Sequence, residues 1–175
     1  MRELLLENPA HKTSKTREFF RMFRTKSSII SIPNVEPKIP FSEWKILEPN
    51  LESNLKSNLE SRVYNNLKIN LKKIILFQPT EAGDHINLQN LEKKLEERSY
   101  LTLSANVLDY LLEHKELIPK EWKEKRIVFL GTIYSGPNNQ KIYRFLEDFN
   151  GQFLDGHGWI EPRFNSEDLI AVMKK

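Results

Sequence analysis

The chain has 175 residues, a mass of 20.7 kDa and a net charge of +3, with 39% hydrophobic residues and a mean hydropathy of -0.55. Compact domains usually contain about 45–50% apolar residues, so we expect a folded body and a less densely packed part. The absence of cysteine excludes disulfides, thiol nucleophiles and cysteine-ligated metal sites. No run approaches the ~18 apolar residues of a membrane span, and the first residues lack the pattern of a signal peptide. We therefore expect a cytoplasmic protein with no transmembrane segment.

Residues 1–26 carry the positive charge, with seven basic and three acidic residues, and we predict that they form a basic helical arm. A helical wheel of residues 11–26 separates four apolar side chains from three arginines: Phe19, Phe20, Met22 and Phe23 against Arg17, Arg21 and Arg24. Arginines can bind the phosphates of a nucleic acid. The aromatic face could instead enter a membrane surface, lie in a protein partner's groove or dock onto the domain core.

Two segments between the arm and the body have biased compositions. Residues 27–50 contain recurrent prolines among apolar residues, which predicts an extended linker lying against the domain. Over residues 51–73, leucine or valine recurs at every fourth position, often after asparagine. That period drifts by about 40° per repeat around a helix. We predict a marginal helix over residues 51–65, with an Asn/Ser-rich spacer as the alternative.

Residues 72–123 predict one strand and two helices. The apolar run that begins at Ile74 and ends before Pro79 favours a short buried strand, and Gly83 indicates a turn. Asn87 and Ser104 are N-cap candidates for the two helices. Apolar residues at helical spacing follow each cap: Leu88, Leu91 and Leu95 in the first helix, and Val107, Leu108, Leu111 and Leu112 in the second. A short helical turn beginning at Pro119 carries Trp122.

Residues 126–160 predict a three-stranded antiparallel meander, because β-branched and aromatic runs alternate with turn sequences. Asn150 and Gly151 suit the positive φ angles of a type I′ hairpin. A last short helix, capped by Asn165 or Ser166, is predicted through Met173. The fold class is therefore α+β, a meander packed on helices with a basic arm. We divide the chain at residues 1–50, 51–100 and 101–175.

Three motifs resemble a small uncharacterised bacterial family: NVLDYLL at residues 106–112, LIPKEWK at 117–123 and GTIY at 131–134. The resemblance covers about a third of the chain, residues 103–160. It implies that these residues form a portable unit, and it implies no activity.

The segment around His157 is the one local cluster that suggests chemistry. Asp155 lies two residues away on the same face of a strand, Glu161 could add a third group, and glycines flank the imidazole. A metal-dependent enzyme centred on Asp155 and His157 is thus one hypothesis, and a surface histidine in a bulge or turn is the simpler interpretation.

Fingerprints for phosphate binding and for a serine nucleophile are absent. The paired carboxylates Glu96–Glu97, Glu147–Asp148 and Glu167–Asp168 are interpreted as solvated.

The favoured hypothesis is a non-enzymatic interaction module without a cofactor. Its partner is a protein, or a nucleic acid bound through residues 11–26. The predicted contacts lie on the arm and on an aromatic sheet face: Arg17, Arg21, Arg24, Phe19, Phe23, Tyr134, Tyr143 and Trp159. Exposed aromatic patches mark binding surfaces. The predicted core comprises Val107, Leu108, Leu111, Ile127, Phe129, Ile133 and Trp159, with Trp122 at least partly buried.

Overall fold

The structure is a computed structural model, which describes residues 28–32, 36–47, 67–161 and 163–175. The predicted arm, with Arg17, Phe19, Arg21, Phe23 and Arg24, and the predicted helix over residues 51–65 lie outside the described residues.

The described elements are mainly strands. In chain order the strands are β1 (Ile29–Ile32), β2 (Lys45–Ile46), β3 (Leu67–Asn70), β4 (Ile75–Phe77), β5 (Tyr100–Thr102), β6 (Arg126–Ser135), β7 (Lys141–Phe149), β8 (Gln152–Trp159) and β9 (Asp168–Lys174). The α-helices are α1 (Leu88–Glu97) and α2 (Ala105–Glu113). One-turn 3-10 helices lie at Leu71–Lys73, Lys115–Leu117, Lys120–Trp122 and Pro137–Asn139.

Seven of these strands form one mixed sheet. Its main path runs β4-β9-β6-β7-β8, with β5 paired to β9 and β2 paired to the end of β6. The β6–β9 pair is parallel, and the other pairs are antiparallel. β1 and β3 form a separate antiparallel pair. The α+β class and the β6-β7-β8 meander are confirmed, and the meander is one end of this larger sheet.

The predicted β7–β8 turn is also confirmed. Asn150 and Gly151 have φ angles of 53° and 79°, the positive values that a two-residue type I′ hairpin requires. Phe149 therefore pairs with Gln152, and this turn fixes the register along the whole of β8.

Each helix begins where its sequence predicts. The side chain of Asn87 accepts a hydrogen bond from the backbone N–H of Asn90 (2.9 Å) at the start of α1. At the start of α2, the hydroxyl of Ser104 instead bonds the side chain of Asn106. The first backbone N–H of α2, at Ala105, donates to Thr132 of β6 (3.1 Å). A strand residue thus supplies part of the cap of α2.

The start of α2 is seated on an irregular stretch of β6. The register of β6 against β7 shifts between Phe129 and Tyr134. There a Cβ on Gly131 would lie 2.7 Å from the backbone of both Leu103 and Ser104. Because those atoms are backbone, no side chain can move aside, and glycine is required for this close approach.

The sheet is covered on both faces. One face, here called the α2 face, packs against α2 and the β1–β3 pair, and the other, the α1 face, packs against α1. Buried α2-face residues include Ile30, Ile69, Val107, Leu108, Leu111, Ile127, Phe129 and Leu146. Buried α1-face residues include Phe77, Leu91, Leu95, Val128, Tyr143, Phe145 and Phe164. Described residues from all three predicted segments contribute to these cores.

The last predicted helix is wrong, because Asp168–Lys174 is the strand β9. Its apolar residues fit a helical wheel, but they are also a continuous run with β-branched Ile170 and Val172. β9 lies between β4 and β6, with both faces covered, and an internal strand of this kind reads as an unbroken apolar run. Asp168 is consequently 3% exposed, which corrects the interpretation of the Glu167–Asp168 pair as solvated.

Candidate functional site

A buried arginine at the centre of β7 organises the α2 face. Arg144 is 2% exposed, and its Nε and one terminal nitrogen donate to the two carboxylate oxygens of Asp155 on β8 (3.1 and 2.7 Å). The same terminal nitrogen donates to Asp109 of α2 (2.8 Å). The other terminal nitrogen donates to the backbone oxygen of Lys38 (3.1 Å) and to the Tyr134 hydroxyl (3.4 Å).

These contacts use every N–H group that a guanidinium has to offer. Burial by itself lowers the pKa of Arg144, but the hydrogen bonds to Asp155, Asp109 and Tyr134 outweigh it and raise the pKa above its usual value. The side chain therefore stays charged and fully satisfied. It has no donor left for a substrate or an anion, so its role is structural.

A segment of the predicted linker closes over this arginine. Residues 36–44, here called the strap, contribute the oxygen of Lys38 to Arg144 and the N–H of Lys38 to Asp109 (2.7 Å). Trp44, 6% exposed, anchors the end of the strap near Tyr134, with ring centroids 5.7 Å apart. Within the described residues this segment lies against the domain, but it is not extended throughout, because a turn closes between Phe41 and Trp44, whose N–H donates to the Phe41 oxygen (3.0 Å).

His157 lies beside the strap with its side chain exposed, rather than in a catalytic loop. Its ring meets Phe41 and Trp44 edge-on, at centroid distances of 5.4 and 5.0 Å. Residues 155–158 belong to the regular strand β8, which corrects the expectation of a bulge or turn. The flanking glycines have a different reason: a Cβ on Gly156 or Gly158 would collide with the ring of Phe145 or Tyr143.

The metal hypothesis finds little support in this geometry. Both oxygens of Asp155 accept hydrogen bonds from Arg144. In the part of the chain that the structure describes, no three His, Asp or Glu side chains come together as a metal site. Asp155, His157 and Glu161 are therefore not brought into one ligand set.

The predicted aromatic face is divided between the interior and the surface. Tyr134 and Tyr143 are buried, at 0% and 6% exposure, so neither belongs to an exposed patch. Trp159 is 61% exposed, which corrects its assignment to the core. The other predicted core residues are buried, apart from Ile133, which is partly buried, and Trp122 is 3% exposed.

The two buried tyrosines predict a pH effect. Burial raises the pKa of Tyr134 and of Tyr143 from 10.0 to about 12. The folded state then holds these protons more tightly than the unfolded state, so stability is unaffected below pH 10.0 and falls as the pH rises toward about 12. A spectrophotometric tyrosine titration, run beside alkaline thermal melts, should show two late-ionising tyrosines. The Tyr134→Phe/Tyr143→Phe variant should lack this late ionisation. A folded parent whose tyrosines all ionise at the ordinary pH would contradict the prediction.

The outer edge of β8 is one of the two ends of the main path through the sheet. β8 pairs with β7 on one side, and no described strand pairs with its other side. Three large apolar side chains of the β7–β8 hairpin are exposed: Phe149 at 63%, Leu154 at 44% and Trp159 at 61%. None of the helices in the described residues is long and apolar enough to span a membrane.

Sequence reasoning missed Arg144 and Asp109. Arg144 alternates with Ile142 and Leu146 on one strand face, and Asp109 adjoins Leu108 in a strongly apolar helix. A charge within an apolar pattern is the signal that could have indicated a buried pair. Trp159 is the one predicted sheet-face contact that the structure leaves on the surface.

Comparison with known proteins yields no relative. The chain matches no protein-family model, and no curated protein or solved structure is significantly similar to it. The resemblance of residues 103–160 to an uncharacterised bacterial family accordingly stays a prediction.

Proposed function

We propose that this protein is a non-enzymatic interaction module that binds a protein partner along the outer edge of β8, with the basic N-terminal arm as a second contact. The observation that carries the proposal is the edge itself, a strand of eight residues with one pairing partner among the described strands.

The hairpin register identifies the backbone groups on this edge. The N–H of Ile160 donates to the oxygen of Lys141 (3.0 Å), so the pair formed by these residues is hydrogen-bonded. In an antiparallel ladder, hydrogen-bonded pairs alternate with pairs whose N–H and C=O groups point away. The outward groups of β8 therefore belong to its odd-numbered residues: Phe153, Asp155, His157 and Trp159. An extended protein segment can pair with such a row.

Side chains add apolar surface to that row. Trp159 lies beside the outward groups on the α2 face, and Leu154 lies on the α1 face. Natural edge strands are usually protected by charge, proline or a covering element. An edge with exposed Leu154 and Trp159 is better suited to association than to solvent. The enzymatic alternative has less support, because Arg144 already occupies the carboxylate of Asp155.

A capture experiment tests the proposal. The tagged parent is compared with Leu154→Lys/Trp159→Lys, which puts charge on the edge, and with Ala82→Lys/Gln89→Lys, which adds equal charge at exposed sites elsewhere. Proteins held through the β8 edge, copies of this chain included, should bind the parent and the control and be lost from the edge variant. An edge variant that melts like the parent and retains every bound protein would overturn the proposal.

The same capture tests the arm. Replacing Arg17, Arg21 and Arg24 with glutamine should weaken any contact made by the arm, since the contact is charge-dependent. Nuclease treatment separates the two classes of partner: proteins that remain after nuclease are bound directly, and those that disappear were bridged by nucleic acid.

A further inference from the structure

Resting on the proposed role of the β8 edge, we infer that its partner is a second copy of this chain. Two β8 strands would pair antiparallel about a two-fold axis at Gly156, which joins the two sheets into one. An isologous contact of this type requires that the edge be complementary to itself.

The register follows from the length of the strand and from its charges. A residue whose backbone N–H and C=O groups point outward must pair with another such residue, so odd-numbered positions of the two strands pair with each other. The middle of β8 (Gln152–Trp159) falls between residues 155 and 156. A two-fold axis at either residue therefore pairs nearly the full length of the two strands. An axis at residue 155 would set Asp155 against the same carboxylate of the second copy, and like charges directly opposite destabilise a sheet.

An axis at Gly156 places complementary side chains together on the α2 face. Asp155 then faces His157 of the second copy, and Phe153 faces its Trp159, with each pair occurring twice by symmetry. The carboxylate of Asp155 is 34% exposed although it binds Arg144, and a carboxylate has acceptor sites beyond two hydrogen bonds. Aromatic pairs are favourable cross-strand combinations, and an imidazole N–H can donate a hydrogen bond to a carboxylate.

The α1 face is complementary in shape. Leu154, which is 44% exposed, faces Gly158 of the second copy, a position without a side chain. The buried ring of Tyr143 lies against that glycine, so no side chain of β8 meets the leucine there. Gly156 faces itself, so no side chain of β8 stands between the two strands at the axis, and the ring of Phe145 lies over this glycine in each copy. The exposed Leu154 and Trp159 are both covered in this arrangement.

Cysteine cross-linking tests the register, since the chain has no thiol of its own. Phe153→Cys/Trp159→Cys should form a disulfide-linked dimer on mild oxidation, seen on a non-reducing gel. Within one chain these positions are about 20 Å apart along the strand, too far for a disulfide. Either single variant should stay uncross-linked, and so should Leu154→Cys/Trp159→Cys, whose cysteines lie on opposite faces. Cross-linking of His157→Cys would indicate an axis at residue 157 and would overturn the inference.

Analytical ultracentrifugation provides a second measurement that leaves the aromatic residues in place. The parent should show a concentration-dependent dimer. His157→Glu, which sets two carboxylates against each other at both symmetric positions, should raise the dimer dissociation constant about tenfold, and His157→Gln should raise it less. A parent that stays monomeric overturns the inference of a second copy. If the parent is monomeric but the Leu154→Lys/Trp159→Lys variant loses a different captured protein, the proposed function still stands. If that variant loses no captured protein, the proposed function and the inference of a dimer both fail.

Discussion

Replacing Arg144 with methionine should lower the free energy of unfolding by about 3–5 kcal/mol, the usual cost of removing one partner from a buried ion pair. The loss leaves Asp109, which is 8% exposed, with a charge that the guanidinium no longer offsets. It also removes the donors to the backbone oxygen of Lys38 and to Asp155. We expect the strap to become protease-sensitive as well, because this oxygen is one of its points of attachment.

Two further variants isolate the cause. Arg144→Lys keeps the charge but loses the planar fork that binds Asp155 with two bonds, so it should recover only part of the stability. Lys38→Met breaks a surface ion pair with Glu113, in which both side chains are largely exposed, and it should change stability little. The measurement is urea denaturation followed by circular dichroism. An Arg144→Met midpoint equal to that of Lys38→Met would show that the buried cluster does not stabilise the fold.

The Leu111→Ala variant should lose about 2–5 kcal/mol, the range for a large-to-small change in a closely packed core. Leu111 is fully buried in α2 and lies in the same core as Ile127 and Phe129 of β6. The neighbouring Leu112 is only partly buried, so Leu112→Ala is a matched control on the same helix with a smaller expected loss. Thermal melting of both variants decides the matter, and equal losses would mean that α2 does not face the sheet through Leu111.

The parts of the fold that local sequence determines could be predicted. Asn87 and the leucines after it specify α1 through capping and periodicity, and Asn150–Gly151 specifies the β7–β8 turn. β9 could not be predicted this way, because its conformation depends on β4 and β6. The β4 residues lie 93 to 97 positions before their partners in β9, from Phe77 paired with Ile170 to Ile75 paired with Val172. Neighbours at such separations leave no periodic pattern within the strand itself.

The candidate site was only partly predictable for a related reason. The β7–β8 segment was recognised as aromatic, but which aromatic side chains are exposed depends on α1, α2 and the strap, which cover Tyr143 and Tyr134. The partners of Arg144 lie 10 to 106 positions away in sequence. A pattern within one strand can indicate that Arg144 faces the interior, but it cannot name Asp109 or Lys38 as its partners.

The position of β9 has a consequence for folding during synthesis. β9 lies inside the sheet, yet it leaves the ribosome after β4, β5 and β6, all the strands with which it pairs. Until β9 is synthesised, the edges of β4 and β6 that face each other have no strand between them. Phe77 of β4 and Val128 of β6 then lack the neighbour that completes their packing. Partly synthesised chains of this kind expose unpaired edges and are prone to aggregate. Nascent chains stopped before residue 168 should therefore depend on chaperones, and the body should gain protease resistance in one late step.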